Sequence, residues 1–196
     1  MIRKRAAVPL IFIAAIAAFA LYKPAACAAL YLGTALYLAF VPAGLLADWR
    51  LDRRFPLAFL AYFLALLTAG AVILAVPPIE QEYKELSEAQ GRFFQAAVGC
   101  PLGVPLVVIQ ALVLAPLVEE VMFRGILFEE ARRRWGVAAA YVLSSLVFAL
   151  LHRPSLGAVP IFIIALSLAY AYHRYGLPAS IMVHFLQNAA ALYISL

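Results

Sequence analysis

Long apolar segments separated by short polar ones repeat along the whole chain. A membrane-spanning helix takes about 17–25 predominantly apolar residues at a rise of 1.5 Å per residue. Seven segments approach or exceed this length, and they cover residues 6–22, 24–47, 55–77, 93–127, 136–152, 155–172 and 175–196. The pattern predicts an all-α fold, a polytopic membrane helix bundle of about seven transmembrane helices. Segment 93–127 is too long for one simple span, so part of it is expected in the interface or beyond the bilayer.

Composition supports a membrane protein of one domain. Hydrophobic residues make up 67% of the 196-residue chain and charged residues 13%, outside the usual range of soluble domains. No linker or low-complexity segment interrupts the spans, so residues 1–196 are predicted to form a single membrane domain. The polar stretch 78–92 is expected at the membrane surface, as an amphipathic helix or solvated loop rather than a lid or substrate-docking element. The basic residues anchor the spans and do not form a nucleic-acid-binding patch.

The distribution of Lys and Arg predicts the orientation, because short cytoplasmic loops are enriched in these residues. With the N-terminus in the cytoplasm, the inner loops carry ten basic residues and the outer loops four. The inner set is Arg3, Lys4, Arg5, Arg50, Arg53, Arg54, Arg132, Arg133, Arg134 and Arg174, and the outer set is Lys23, Lys84, Arg92 and Arg153. A multi-pass protein of the bacterial inner (cytoplasmic) membrane, with its N-terminus inside, is therefore predicted.

The N-terminal segment and the two cysteines are assigned structural roles. Residues 1–22 resemble a signal peptide in having a basic start and an apolar run, but further spans follow, so a retained first helix is predicted. Cys27 and Cys100 have neither metal-ligand spacing nor the context of a nucleophile. They are interpreted as small apolar filler, and a disulfide between them is not expected.

Two adjacent acids, Glu119 and Glu120, follow 26 uncharged residues that run from Phe93 to Val118. An ionisable residue inside a membrane helix costs roughly 2.5–3.5 kcal/mol on insertion scales, so such residues usually mark a functional site. The other polar groups within the spans are few. They are Arg124 in EEVMFRG, His152 in FALLH after Phe148, and His184 and Asn188 in HFLQN.

Helical spacing separates the two glutamates. Glu120 and Arg124 are four residues apart and share a helix face, as do His184 and Asn188. Successive helical residues point about 100° apart, so Glu119 faces elsewhere. We therefore predict a Glu120–Arg124 ion pair, with a structural or a supporting catalytic role, and a Glu119 carboxylate that faces a cavity.

Residue counting predicts that these side chains meet. Glu119 lies 16 residues before Trp135 and His152 lies 16 residues after Gly136, so a helical hairpin that turns there places both about 24 Å from the turn. Counted from the turn near residues 174–176, His184 lies about 12–15 Å up its helix and Asn188 about 18–21 Å. Pro116 is expected to kink the span just before the glutamates.

This set of groups suits hydrolysis of an amide by water. A carboxylate and a neutral imidazole deprotonate a water, and a second histidine with an asparagine stabilises the oxyanion. Ser144 and Ser145 are interpreted as helix-packing residues. Zinc held by Glu119, His152 and His184 is the alternative, weakened by the absence of the HExxH spacing.

The segments EEVMFRG, SSLVFALLH and RYGLPASIMVHFLQN resemble the three motifs of the CPBP family, also called Abi. This family contains the type II CAAX prenyl endopeptidases and the bacteriocin-processing or immunity proteins. The resemblance covers about residues 119–188, within a core at 93–196, and it implies a glutamic intramembrane protease, a type also described as metalloprotease. By position, Glu119 and His152 would activate water, His184 and Asn188 would bind the oxyanion, Glu120 and Arg124 would support them, and Phe148 would pack beside His152.

The predicted function is that of a CAAX-type intramembrane endopeptidase with no cofactor favoured and zinc as the alternative. Its partner would be a membrane-anchored protein or peptide substrate in the lipid bilayer, such as one with a C-terminal sorting or anchor segment. The chain's small size does not favour a prenylated substrate. Two other functions stay open, a noncatalytic immunity-type membrane protein and a transporter. A transporter would be expected to show inverted repeats, and none stands out.

Overall fold

The computed structural model describes residues 2–22 and 24–195 and is built from α-helices. Its described part contains no β-strand, which confirms the all-α prediction. Four helical stretches are long and apolar enough to cross a membrane by length and composition, namely Ala26–Leu46, Leu57–Ala75, Gly103–His152 and Leu177–Ser195. The helices are α1 (Ile2–Tyr22), α2 (Ala26–Phe40), α3 (Leu57–Ala75), α4 (Pro77–Val98), α5 (Gly103–Ile109), α6 (Ala115–Glu120), α7 (Glu129–His152), α8 (Ala158–Tyr175) and α9 (Leu177–Ser195).

The boundaries differ from prediction around residue 93. The first residues of the predicted span 93–127 continue α4, and the span itself begins at Gly103. The polar stretch 78–92 is therefore the larger part of a 22-residue helix rather than a loop. Its helical form follows from Pro77 and Pro78 in the first turn, where proline fits, and from Glu80 near the helix N-terminus.

The middle of the chain forms the predicted helical hairpin. Gly136 has φ 85°, a conformation that side chains other than glycine rarely adopt, and it turns the chain back on itself within α7. Phe123 on one arm contacts Phe148 on the other, with ring centroids 5.2 Å apart. In an antiparallel pair this contact places Glu119 and His152 level with each other, as residue counting predicted.

The bundle has two chemically different ends. One end, which we call the arginine end, consists of the loop 47–56, residues 129–135 and the turn 173–176. Arg50 Nη2 donates a hydrogen bond to the His173 carbonyl at 3.1 Å, and Asp52 N–H donates to the Tyr175 carbonyl at 2.8 Å. Most of the basic residues predicted to be cytoplasmic lie here. Lys23, counted with the outer loops, lies outside the described residues, and the side chains of Arg3, Lys4 and Arg5 are not described.

The opposite end, which we call the disulfide end, consists of α4, the loop 153–157 and the start of α2. The Cys27–Cys100 disulfide joins the start of α2 to the residues between α4 and α5. The interpretation of these cysteines as apolar filler was therefore wrong. Spacing gave no sign of the bond, because the two residues are 73 positions apart and meet only through the packing of α2 against α4 and α5.

Removal of this bond is expected to destabilise the protein. The double variant Cys27→Ser/Cys100→Ser should lose about 2–4 kcal/mol of unfolding free energy, the range of a disulfide that closes a long loop. Thermal unfolding in detergent measures the loss. A reducing agent should lower the midpoint of the wild type and leave that of the variant unchanged, and equal midpoints for both untreated proteins would contradict the assignment.

Candidate active site

The glutamates lie on a span whose helical winding changes twice. Residues Gln110–Leu114 and Val121–Phe128 are π-helical and flank the short helix α6. The Ala115 N–H bonds to the Gln110 carbonyl five residues back. The next residue is Pro116, which has no N–H to donate. The kink predicted before the glutamates therefore takes the form of a wider helical turn. Such π turns occur often at functional sites.

Glu120 lies in a fully buried cluster. The Arg124 Nη1 donates to Glu120 Oε1 at 2.9 Å, which confirms the predicted ion pair, and Nη2 donates to the Ala165 carbonyl at 3.2 Å. Both side chains have 0% exposure. The guanidinium also lies over the Phe148 ring, 4.6 Å from its centroid. These three contacts hold the arginine in one orientation and make its buried charge tolerable.

The same carboxylate also holds His184. His184 Nδ1 lies 2.9 Å from Glu120 Oε1, and because a carboxylate only accepts, Nδ1 donates this hydrogen bond. The other ring nitrogen, Nε2, lies 3.9 Å from Glu119 Oε2. Glu120 therefore orients His184 so that its second nitrogen faces the neighbouring acid.

Glu119 faces away from the ion pair. Tyr37 of α2 donates its hydroxyl hydrogen to Glu119 Oε1 in a short hydrogen bond. The other oxygen, Oε2, is buried and has no hydrogen-bond partner. Buried polar atoms nearly always have a partner, so an unpaired carboxylate oxygen is a place where a ligand or water is expected to bind.

His152 has one nitrogen occupied and one free. Its Nδ1 lies 2.9 Å from the Phe148 carbonyl one turn earlier, and a carbonyl only accepts, so Nδ1 carries the proton. Nε2 then has the lone pair that a general base needs. The Phe148 ring lies 4.5 Å from the imidazole, which confirms the predicted packing of these two residues.

Asn188 lies one turn beyond His184 on α9. Its Nδ2 donates to the Ala111 carbonyl at 2.8 Å, in the π-helical segment before the glutamates. One amide hydrogen is thus used to position the side chain, and the second remains for a ligand. The sequence grouped Asn188 with His184 from their spacing alone. It did not predict the contact between Asn188 and the span that carries Glu119.

One cavity of about 450 Å³ connects these side chains. Glu119, His152, His184 and Asn188 all line it, and so do Tyr37 and Phe148. A smaller cavity of about 200 Å³ adjoins Glu119, Tyr37 and His152 from the side of α1. The volume of the larger one falls within the roughly 300–1,000 Å³ of ligand pockets.

Helix α4 covers the cavity and is fastened next to His152. Arg153 Nη2 donates to Glu85 Oε2 at 3.2 Å, and the Gly157 N–H donates to Glu82 Oε2 at 3.0 Å. Hydrogen bonds from Ser155 Oγ and from the Gly157 N–H hold the pKa of the Glu82 carboxyl below its usual value. A lowered pKa means that this attachment is present at neutral pH and is lost as the pH falls far enough to protonate the carboxyl.

The predicted zinc set does not form a metal-binding cluster. Within residues 2–22 and 24–195, no three His, Cys, Asp or Glu side chains are grouped so that they could hold a metal ion. Glu119, His152 and His184 nevertheless line one cavity, where the Nδ1 atoms of both histidines form hydrogen bonds and His184 Nε2 lies 3.9 Å from the Glu119 carboxylate.

Comparison with protein families supports this assembly of motifs. Residues 101–190 match the family model described as Type II CAAX prenyl endopeptidase Rce1-like. This segment is similar to the CAAX protease (CPBP) family. All of the motif residues that form the cavity fall inside the matched segment, whereas Tyr37 and α4 fall outside it. No curated protein and no solved structure matches the chain.

The similarity to this family and the apolar helices together indicate the general function, that of an integral membrane protein and an intramembrane protease of the CAAX type. Tyr37 is a side-chain contact of Glu119 that sequence reasoning missed. Its only signal was a hydroxyl within the apolar segment 24–47, and aromatic residues with such hydroxyls are common in membrane helices.

Proposed function

We propose that the protein is a glutamic intramembrane endopeptidase, in which Glu119 and His152 activate a water molecule without a metal. The observation that carries this proposal is the buried Glu119 Oε2, which has no hydrogen-bond partner and belongs to a side chain that lines the same cavity as His152. Glu120 Oε2 and Arg124 Nε also have no partner, but these two residues do not line the cavity, so Glu119 is the acid that water and a substrate can reach.

The proposed reaction is a direct hydrolysis. Glu119, assisted by His152, takes a proton from water as the water oxygen bonds to the scissile carbonyl carbon. The C=O electron pair moves onto oxygen, where His184 Nε2–H, when the ring is protonated, and the free amide hydrogen of Asn188 stabilise it. Collapse of this intermediate breaks the C–N bond as the proton passes to the leaving amine. A carboxylic acid and an amine result.

Glu120 and Arg124 act through His184. The Glu120 carboxylate accepts the Nδ1–H hydrogen bond at 2.9 Å and thereby fixes the orientation of the ring. Arg124 in turn balances the buried carboxylate. The substrate is proposed to be a membrane-anchored protein or peptide, and the enzyme is placed in the bacterial inner membrane with a cytoplasmic N-terminus on the strength of its loop charges.

Activity is expected to be independent of zinc. The purified protein in liposomes would be assayed with a library of fluorogenic peptides that contain an apolar segment, before and after exhaustive chelation. Equal rates, with no zinc bound, are expected because water would be held by hydrogen bonds rather than by a metal. A loss of activity that added zinc restores would instead favour the zinc mechanism.

The Tyr37→Phe variant is expected to lower kcat with little change in KM. A hydrogen bond to a charged group contributes roughly 1.5–3 kcal/mol, so loss of the Tyr37–Glu119 contact should slow turnover about 10- to 100-fold. The control is Tyr31→Phe, since Tyr31 lies on the same helix but donates to the Pro101 carbonyl at 2.8 Å, away from the glutamates. Equal kcat in all three proteins would show that Tyr37 does not position Glu119.

A further inference from the structure

The disulfide distinguishes the two sides of the membrane. Disulfides persist in oxidising compartments and are rare where cytosolic thiol systems operate. The Cys27–Cys100 bond therefore assigns the disulfide end to the extracytoplasmic side. The disulfide is independent of the basic residues, and its position agrees with the enrichment of arginine at the other end.

The cavity lies in the half of the bundle nearer the disulfide end. Its floor is formed by Glu119, near the middle of the span 103–135, and by Leu168 and His184, near the middle of α8 and α9. On α9 the remaining lining residues follow His184 toward Ser195, and on α8 they precede Leu168 toward Ala158. The loops of the arginine end do not line the cavity. The lining residues of these two helices are Ile161, Ile164, Leu168, His184, Gln187, Asn188 and Ala191.

Helix α4 forms the outer wall of this cavity. One face of α4 lines the cavity with aromatic and aliphatic side chains, while the charged residues lie mostly on its other faces. Cys100 ties the far end of α4 to α2, and Arg153 and Gly157 fasten its near end. Access to Glu119 therefore leads beneath an amphipathic helix on the extracytoplasmic surface. The lining residues of α4 are Tyr83, Leu86, Gln90, Phe93 and Phe94.

The lining also limits what can enter. Apart from Glu119 and the two histidines, it consists of apolar, aromatic and uncharged polar side chains. A charged substrate residue would have no opposite charge to pair with near the floor except the carboxylate used for chemistry, so its burial would be costly. The lining also contains the carboxamides of Gln90, Gln110, Gln187 and Asn188, the last three each held by one hydrogen bond within the protein and left with further groups for an extended peptide backbone.

From this placement we propose that the enzyme takes its substrate from the extracytoplasmic side. The substrate is an exported, membrane-anchored protein, and an uncharged segment at the outer end of its anchor passes beneath α4 to reach Glu119. Water enters by the same route. This inference rests on the proposed protease function for its substrate, whereas the side on which the cavity opens is tested without any catalysis.

Thiol labelling determines on which side of the membrane the cavity opens. Single cysteines are introduced by Gln90→Cys at the rim and Ala191→Cys in the wall, and the control is Arg133→Cys at the arginine end. Right-side-out and inverted vesicles are treated with a membrane-impermeant maleimide. The first two variants should be labelled in right-side-out vesicles and lose labelling in inverted ones, and Arg133→Cys should show the reverse. Wild-type protein should stay unlabelled until it is reduced, since both native cysteines are bonded.

Labelling of Gln90→Cys and Ala191→Cys only in inverted vesicles would overturn the proposal. So would reaction of Cys27 and Cys100 in unreduced wild-type protein, because the compartment argument would then fail.

A pair of reporters tests the substrate separately. Each has one transmembrane anchor flanked by the same uncharged segment, facing outward in one reporter and inward in the other. Co-expression with the wild type should cleave the outward reporter, and co-expression with Glu119→Gln should leave it intact. Cleavage of only the inward reporter overturns the proposed side of entry. If neither reporter is cleaved, the substrate assignment and the protease function fail, and the labelling result on the cavity still stands.

Discussion

The Glu119→Gln variant is expected to keep its fold and lose proteolytic activity by about 10²–10⁴-fold, the usual contribution of a general base. Glutamine has nearly the same shape and its carbonyl oxygen still accepts the hydrogen bond from Tyr37. An amide does not take a proton from water at neutral pH, so water activation is lost while packing is retained. His152→Ala should have a similar effect, since it removes the free Nε2 beside the same cavity.

The matched control is Glu88→Gln, which makes the same chemical change on the exposed face of α4. Glu88 contacts Arg92 at 3.5 Å and does not line the cavity. Initial rates for wild type, Glu119→Gln and Glu88→Gln would be compared on one peptide substrate, with size-exclusion profiles and thermal unfolding as checks on the fold. Wild-type rates in a folded Glu119→Gln protein would refute the glutamic mechanism.

The Arg124→Met variant is expected to lose about 3–5 kcal/mol of unfolding free energy, because it leaves the Glu120 carboxylate buried without its counter-charge. The double variant Glu120→Leu/Arg124→Met should regain much of this loss, since the Glu120 charge is removed together with its counter-charge. It should nevertheless stay inactive, because His184 has then lost the oxygen that orients it. The double variant would thus recover stability without recovering activity.

Denaturation in mixed micelles measures these differences. The control is Arg133→Met at the exposed arginine end, where the ion pair with Glu130 is partly solvated and should contribute at most about 1 kcal/mol. An Arg124→Met protein as stable as this control would show that the buried pair is not needed for folding. Wild-type activity in the double variant would show that Glu120 does not act through His184.

Contacts within one helix, or between helices joined by a short turn, were determined by the sequence. The Glu120–Arg124 pair follows from spacing of four residues on one helix. The level placement of Glu119 and His152 follows from the equal number of residues on either side of the turn at Gly136, a glycine with positive φ. The membrane-spanning pattern likewise predicted an all-α bundle, since a chain in lipid must satisfy its backbone hydrogen bonds internally.

Only the tertiary structure decided the contacts between distant segments. Tyr37 reaches Glu119 across 82 positions, His184 reaches Glu120 across 64, and Cys27 bonds to Cys100 across 73. Periodicity shows which face of a helix is apolar, but it does not show which of several apolar helices will pack against that face. The sequence motifs therefore predicted which side chains form the site. The packing of α2 and α4, which lie outside those motifs, determined how Glu119 is held and from which side the cavity is covered.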